Sequence, residues 1–503
     1  MTPPNILVLF SDQHQAAALG CENHPDLLTP SLDRLAASGA RFTRAYCQDG
    51  VCVPSRCSLF SGLHPRTLGC YGNTGRSTTL RDDVVSLPLV FQRAGYRTAS
   101  FGKRHMFPAC DAGWDAAPSH LPWESRGENY PDWVEKHGHS AALDRDWSAE
   151  FGRGMEGTPR HEIPMPIAPF SMRASELPED MTMEAWTRQK TVEFLRAQKN
   201  AARPFFCFSS FYRPHQPYTP LPSYLARFDR SKWGAGRLRN DGIALPPSLR
   251  QPATQLPPML QEWRAGNNRV WCLDDAFRDE QLFRDYIAAY YALVEEIDAH
   301  IGGILDCLDE TGLRENTVIL YTSDHGDFAG RHGMCEKCAH GHNVYEETLR
   351  VPLLLSWRGR VPATVSDGLV ELLDVYPTLL GLAGIPLPPA RHAPQGLSLV
   401  DHLCDAAPVG RQFVISGHRE QISVITRRHK LGVWQPPAFP GAFDFRAFGD
   451  MLFDREADPL ELDNLRGSPA VRDVENELRA HLREWMARTP ENKPDLPPAP
   501  RTA

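Results

Sequence analysis

Two apolar runs, Ile6-Leu7-Val8-Leu9-Phe10 and Thr317-Val318-Ile319-Leu320-Tyr321, each stop abruptly in a polar, acid-bearing segment, Ser11-Asp12-Gln13-His14 and Thr322-Ser323-Asp324-His325-Gly326. A short continuous apolar run has no polar face to offer water, so it suits a strand covered on both sides, as in a parallel sheet. In doubly wound sheets ligands bind beyond the carboxyl ends of the strands. The pair therefore predicts an α/β fold in which Asp12 and Asp324 meet at one sheet edge, despite about three hundred intervening residues. Pro204-Phe205-Phe206-Cys207-Phe208, followed by polar residues through His215, adds a third strand of the same kind.

Between these strands, 281–308 carries Phe283, Ile287, Tyr290, Tyr291, Val294, Ile297, Ile301, Ile304 and Leu305 at helical spacing. This predicts a long amphipathic helix over the sheet, its aromatic stripe being core packing and not a cofactor box. Shorter helices are expected at 31–38 and 87–94. The stretch from 107 to about 178 reads as irregular and aromatic, with Trp114, Trp123, Trp133 and Trp147, and is either a substrate-pocket wall or a surface insertion. Prolines cluster at 117–131, 158–169, 245–258, 386–394 and 490–500, which we read as loops or linkers. We accordingly divide the chain into a catalytic domain, 1–395, and a smaller C-terminal α+β unit, 396–503. The latter holds strands near 413–416, 423–426 and 451–454, a helix over 470–488 and a Pro-rich tail that frays.

A net charge of −8 argues against a nucleic-acid partner, which would call for a basic face. An anionic substrate must then be attracted locally, by a metal and a few cations. The apolar stretch 368–385 is interrupted by Glu371, Asp374 and Pro377 and falls short of the ~20 residues that span a bilayer, so no membrane association is expected. The first ten residues lack a basic region, a long apolar core and a small-residue cleavage site. With twelve cysteines, this leads us to expect reduced thiols and a cytoplasmic location.

The motif carrying the chemistry is Cys52-Val53-Pro54-Ser55-Arg56-Cys57-Ser58-Leu59-Phe60-Ser61-Gly62. Its core, Cys-x-Pro-Ser-Arg, would arise by chance in about one chain in a thousand of this length. It resembles the signature of the type I sulfatases. The resemblance extends through Asp12, Thr29-Pro30-Ser31-Leu32-Asp33-Arg34-Leu35-Ala36, Gly95-Tyr96-Arg97-Thr98, Gly102-Lys103-Arg104-His105, Ser323-Asp324-His325-Gly326, Tyr345-Glu346-Glu347 with Arg350-Val351-Pro352, Asp374-Val375-Tyr376-Pro377-Thr378, and Leu452-Phe453-Asp454 with Asp458-Pro459. It implies an alkaline-phosphatase-like α/β fold, a central mixed sheet flanked by helices with a smaller C-terminal α+β domain.

In that family the signature cysteine becomes Cα-formylglycine, made by a formylglycine-generating enzyme, so Cys52 is the implied nucleophile precursor. The reason is chemical. A serine or thiol attacking a sulfate ester would leave a covalent sulfo-enzyme that water must attack again at a poorly electrophilic sulfur, whereas one hydroxyl of a gem-diol attacks and the other drives sulfate out by C–O cleavage. Asp12, Gln13 and Asp324 supply the oxygens a hard divalent cation prefers. With His325 and position 52 they form the implied metal site, Ca2+ being our first choice and Mn2+ or Mg2+ the alternatives. Many sulfatases have aspartate where Gln13 stands and asparagine where His325 stands; this pairing resembles the choline sulfatase and phosphonate monoester hydrolase branch.

By the same resemblance Arg56 holds the hydrated aldehyde and offsets charge, Lys103 clamps a sulfate oxygen, His105 binds or deprotonates the gem-diol to assist sulfate elimination, and His215 contacts substrate and protonates the leaving oxygen. Lys337 is the candidate second sulfate contact, with His340 or His342 as substitutes. Cys335-x-x-Cys338 with His340 and His342 also has zinc-ligand types, although the histidine spacing is shorter than usual. The expected function is hydrolysis of a small or carbohydrate sulfate ester. The alternatives are a phosphonate monoester or phosphodiester hydrolase with the same nucleophile, and a non-catalytic scaffold recognising sulfated ligands. Oligomeric state stays open.

Overall fold

All eight residues of strand β1 (Asn5–Asp12) are buried, because the strand occupies the middle of a seven-stranded sheet with a layer on each face. The structure, a computed structural model, describes residues 2–73, 83–148, 174–228, 243–252, 261, 280–337, 344–391, 393–417, 421–436 and 444–492. The further strands are β2 (Ala40–Phe42), β3 (Ala45–Tyr46), β4 (Arg97–Gly102), β5 (Phe205–Pro214), β6 (Thr317–Ser323), β7 (Leu353–Ser356), β8 (Thr364–Ser366) and β9 (Val370–Glu371). The sheet order is β4-β5-β1-β6-β7-β2-β8, and β3 pairs separately with β9. Strands β4, β5, β1 and β6 are parallel, while β7 runs against both β6 and β2. The mixed sheet expected from the resemblance is present.

The two-residue alternation of a strand splits β1 between two cores. Ile6, Val8 and Phe10 pack with Leu59, Phe60, Phe91 and Leu379 on one face. Leu7 and Leu9 pack with Leu35, Phe194, Ile297, Ile301 and Leu305 on the other. The long helix spans Glu280–Thr311 and lies, with helices Met183–Gln198 and Pro30–Ala37, on this second face.

The stretch expected to be irregular contains two helices among its described residues, Tyr130–Lys136 and Ser140–Ser148. The first starts at Asn129, whose side chain accepts a hydrogen bond from Asp132 N. Pro131, which reads as a loop signal, falls in the first turn, where a missing N–H is no loss. Of its four tryptophans, Trp114 belongs to the core beneath the sheet, Trp133 to a cluster with Tyr130 and Trp186, and Trp123 is 77% exposed. Trp147 alone packs toward the sheet's functional edge, its ring 5.4 Å from that of Tyr212.

Beyond the main sheet, β10 (Val414–Ser416), β11 (Gln421–Ile425), β12 (His429–Trp434) and β13 (Met451–Asp454) form an antiparallel sheet. Helix Arg472–Arg488 covers it through Leu478, Leu482 and Trp485. Strand β12 was not predicted, because lysine and glycine interrupt its pattern. Lys430 is nonetheless fully buried, its Nζ 2.5 Å from Glu461 and 2.8 Å from Glu346, which ties this sheet to the Tyr345-Glu346-Glu347 segment. Among the described residues no helix is long and apolar enough to cross a membrane, and the ten described cysteines are free thiols.

Candidate active site

The carboxyl ends of the four parallel strands fall on one edge, and each delivers polar groups there. β1 ends in Asp12 and runs into Gln13, β4 into Lys103 and His105, β5 into His215, and β6 into Asp324 and His325. Ser11 pairs with Ser323 and Asp12 with Pro214, so the strand ends lie level. Sequence separation is irrelevant to this meeting; strand order decides it.

Cys52 enters from the next layer, as the first residue of the fully buried helix Cys52–Ser61. Val51 precedes it in extended conformation, and Gly62 closes the helix at φ 70°, donating its N–H to Ser58 O. The helix N-terminus thus places position 52 at the positive end of the dipole, a favourable setting for an anion, while Val53 N donates to Asn73 Oδ1 at 3.1 Å. Cys52 Sγ lies 3.2 Å from His325 Nε2 and 3.9 Å from Asp12 Oδ1.

Arg56, one turn along, joins the two aspartates. Its Nε donates to Asp324 Oδ2 at 2.7 Å and its NH2 to Asp12 Oδ2 at 2.9 Å, while NH1 donates to the carbonyls of Lys103 at 2.9 Å and Arg104 at 3.2 Å. The guanidinium therefore binds the carboxylates from behind and leaves their Oδ1 atoms facing Cys52 and His325. Lys103 Nζ adds a 2.6 Å contact to Asp12 and lies 4.4 Å from the centre of the Tyr212 ring, a cation–π contact. Burial by itself would raise the Asp12 carboxyl, but Lys103, His215 and Arg56 hold it well below the usual carboxylate range.

One oxygen of Asp12, one of Asp324, Cys52 Sγ and a nitrogen of His325 all lie within 4.8 Å of one another. His325 Nδ1 is 3.0 Å from Gly326 O, so this nitrogen carries a proton and Nε2 is the atom turned toward the cluster. Burial alone would depress His325, yet Asp324 and Cys52 raise it to about 9. Among the described residues Asp12 Oδ1 faces only weak or distant partners, Cys52 Sγ and His325 Nε2 at 3.9 Å each. An Asp12 oxygen with lone pairs to spare, an Asp324 carboxylate held in place by the amides of Gln13 and His325, and an oriented imidazole fit a divalent cation.

The cationic side is equally built. Lys337 Nζ donates to Gln13 Oε1 at 3.0 Å and to Glu336 at 2.6 Å and lies 3.4 Å from His215 Nε2. Burial would lower Lys337, but Glu336 more than compensates and keeps it charged. His215 Nδ1 is 2.8 Å from Gln216 O, leaving Nε2 as acceptor. Burial, then Lys103 and Lys337, push His215 well below its ordinary value, so it is neutral near pH 7. Burial, Lys103 and Arg56 do the same to His105, whose Nδ1 is buried without a hydrogen-bond partner among the described residues.

The structure thus brings Asp12, Gln13, Cys52, Arg56, Lys103, His215, Asp324, His325 and Lys337 into one connected site, with His105 at its margin. Cys338, His340 and His342 lie outside the described residues; Cys335 packs in an apolar cluster with the long helix. Several supporting residues were not singled out from sequence. Glu124 accepts from the amides of Arg104 at 2.7 Å and His105 at 2.6 Å, and so shapes the turn in which His105 takes φ 47°. Tyr290 donates to Gln13 O at 2.9 Å and accepts from Gln15 N at 2.8 Å. The aromatic stripe is core, but its hydroxyl tips also hold the loop after β1. Asp327 was the most findable, an acid three residues past Asp324 in the same loop.

A mixed sheet flanked by helices, with acids, imidazoles and ammonium groups at the ends of its parallel strands, defines an alkaline-phosphatase-like α/β hydrolase. The family model described as Sulfatase matches residues 4–385, and that described as N-sulphoglucosamine sulphohydrolase, C-terminal, matches 330–488. The chain belongs to the sulfatase family, the hydrolases of sulfuric esters. It is 27% identical over 501 residues to the arylsulfatase of Clostridium perfringens, covering 95% of this chain and 93% of that protein. It is 26% identical over 527 residues to the multifunctional alkaline phosphatase superfamily protein PehA of Trinickia caryophylli, covering 96% and 95%. In fold it is similar to the phosphonate monoester hydrolase of Silicibacter pomeroyi, with a TM-score of 0.76 at 21% identity over 97% of this chain and 96% of that one.

Proposed function

We propose that the chain is a formylglycine-dependent sulfatase that hydrolyses a small or carbohydrate sulfate ester, by S–O cleavage, to an alcohol and inorganic sulfate. The observation that carries this reading is the setting of Cys52, at a helix N-terminus, 3.2 Å from His325 Nε2 and facing the two aspartates bridged by Arg56. Its Sγ stands in for the oxygen of the formylglycine that a formylglycine-generating enzyme would make. Once formed, that residue supplies, as its hydrate, a nucleophile that expels sulfate without a second attack on sulfur. Asp12, Gln13, Asp324 and His325 would hold the cation, Ca2+ first with Mn2+ or Mg2+ as alternatives, which supplies Lewis-acid polarisation and lowers the proton affinity of an oxygen beside it.

This chain's own groups do the rest. Lys103 and Lys337 bring two positive charges to a substrate that carries one negative charge, in a buried site where such contacts are strong. Neutral His105, with its unpartnered Nδ1, accepts the proton of the nucleophile. The leaving oxygen takes its proton from the Lys337–His215 pair, in which Nε2 of His215 is the acceptor toward Lys337. A second reading, a phosphonate monoester or phosphodiester hydrolase with the same nucleophile, is favoured by the Gln13 and His325 donors, and the relative PehA is by name multifunctional. Relative rates on aryl sulfate, phosphonate monoester and phosphodiester substrates separate the two.

The direct test is the mass of the peptide containing Cys52 after co-expression with a formylglycine-generating enzyme. A loss of about 18 Da, the arithmetic of thiol-to-aldehyde conversion, together with sulfate-ester turnover supports the proposal. An unmodified thiol under conditions that convert a control sulfatase removes the nucleophile assignment.

A further inference from the structure

Gln13 is an unusual choice for a cation-binding position. A carboxylate offers oxygen whichever way it turns, whereas an amide offers oxygen in one orientation and an NH2 donor in the other. Something must hold the Gln13 amide the right way round, and the groups around it do. On one side Lys337, which can only donate, lies 3.0 Å from Oε1. On the other, Gln13 Nε2 donates to Asp327 Oδ2 at 2.7 Å and lies 3.1 Å from Tyr218 OH.

Asp327 is itself fully buried. Beyond Gln13, its carboxylate accepts from Tyr218 OH at 3.0 Å, Tyr286 OH at 2.5 Å and Ala329 N at 2.7 Å. Among the described residues no lysine or arginine forms an ion pair with it. Four donors around one buried carboxylate make it an acceptor toward Gln13, although burial pushes the carboxyl upward. A fully buried acid without a cationic partner is costly to fold around, and here that cost is met by four donors converging on one carboxylate.

We propose that Asp327 is a positioning residue that locks the Gln13 amide, turning its nitrogen away from the site and its oxygen to Lys337, so that Gln13 can serve as an oxygen donor to the cation. Tyr218 and Tyr286 fix the carboxylate that does this. The cation arm rests on the ligand role given to Gln13 above; the lock itself does not.

Swapping the hydrogen-bond polarity tests the lock. In Asp327→Asn, Ala329 N–H and Tyr286 OH keep the oxygen of the new amide on their side, so its NH2 faces the NH2 of Gln13 and the Gln13 amide is driven over. In Gln13→Glu, two carboxylates face each other. The double variant Q13E/D327N restores a donor–acceptor pair with the same total charge as the parent protein.

The four proteins are compared with Cys52 unmodified, which makes the readouts independent of turnover. Thermal unfolding of the metal-free proteins should show both single variants lowered and the double variant recovering most of the loss. Calorimetric titration with Mn2+ and Ca2+ should show D327N weakened ten- to a hundred-fold, the usual scale for a group that orients a ligand, and the double variant within about threefold of the parent. Losses in melting temperature that simply add in the double variant, or a D327N protein that binds both ions like its parent, overturn the proposal. Should the parent bind neither ion, the ligand reading of Gln13 fails, and the unfolding comparison alone decides on the lock.

Discussion

Replacing Arg56 by lysine keeps the charge and removes the fork. In the native site one guanidinium serves Asp324 at 2.7 Å, Asp12 at 2.9 Å and two backbone carbonyls, and all three side chains are fully buried. An ammonium group is a point donor and cannot reach both carboxylates at once. Asp12 retains Lys103 at 2.6 Å, so Asp324 bears the loss if the new lysine settles toward Asp12. One charge-assisted hydrogen bond contributes about 1.5–3 kcal/mol and a carbonyl left without its donor costs a further ~1 kcal/mol. R56K should therefore lose about 2.5–4 kcal/mol, overlapping the roughly 3–5 kcal/mol for breaking a buried ion pair. The assay is denaturant unfolding of the metal-free protein near pH 7, with calcium affinity measured in parallel. The expected result is a lower midpoint at unchanged slope and a ten- to hundredfold weaker cation affinity, because the Oδ1 atoms are no longer aligned. A variant within about 1 kcal/mol of the parent and with equal affinity would refute the bridge as the element that orders the carboxylates.

Other consequences follow from the same contacts. Glu124→Gln leaves the fold intact but loses one acceptor for the Arg104 and His105 amides; kcat should fall about ten- to a hundredfold with KM little changed, and an unaltered kcat counts against the role of this turn. Cys52→Ala should abolish both the mass change and turnover while the unfolding transition stays within about 2 kcal/mol of the parent; residual turnover would mean another nucleophile. Removal of divalent cations should suppress turnover without unfolding the protein, with recovery on adding Ca2+ or Mn2+; activity that survives exhaustive chelation contradicts the metal role. Asp298 accepts from Ser31 N at 3.0 Å and Leu32 N at 2.8 Å, and burial raises its carboxyl to about 6. A folded-state value above the unfolded one contributes stability that is complete below about pH 4 and is lost as pH rises through about 6, by about 3 kcal/mol. The melting-temperature gap between the parent and Asp298→Asn should accordingly narrow over that window; a constant or widening gap is inconsistent with it.

Reading the site from sequence works where chemistry is local. Cys52 and Arg56 are one helical turn apart, so their joint role is visible in a pentapeptide. Asp12 and Asp324 are legible because each terminates an apolar run, and a buried strand can end only at the sheet's edge. Lys103, His105, His215 and Lys337 are single residues in loops without periodicity, and it was resemblance, not pattern, that singled them out. Glu124, Tyr218 and Tyr286 carry no signal of any kind. Glu124 meets Arg104 across 20 residues of chain, Tyr218 meets Asp327 and Gln13 across 109 and 205, and Tyr286 meets Asp327 across 41.

What the chain alone determines is therefore the kind of chemistry and the kind of layer: alternating buried strands and covering helices, acids at strand ends, and a cysteine in a specific motif. Which oxygen of Asp12 faces Cys52, which nitrogen of His325 is free, and which way the Gln13 amide points are decided only in three dimensions. Each depends on a donor or acceptor brought from a remote segment, Arg56 for the aspartates, Gly326 O held by its loop for the imidazole, Asp327 and Lys337 for the amide. A sequence specifies which polar groups exist, but orientation follows from pairing, and pairing of buried groups is settled by the packing that excludes water from them.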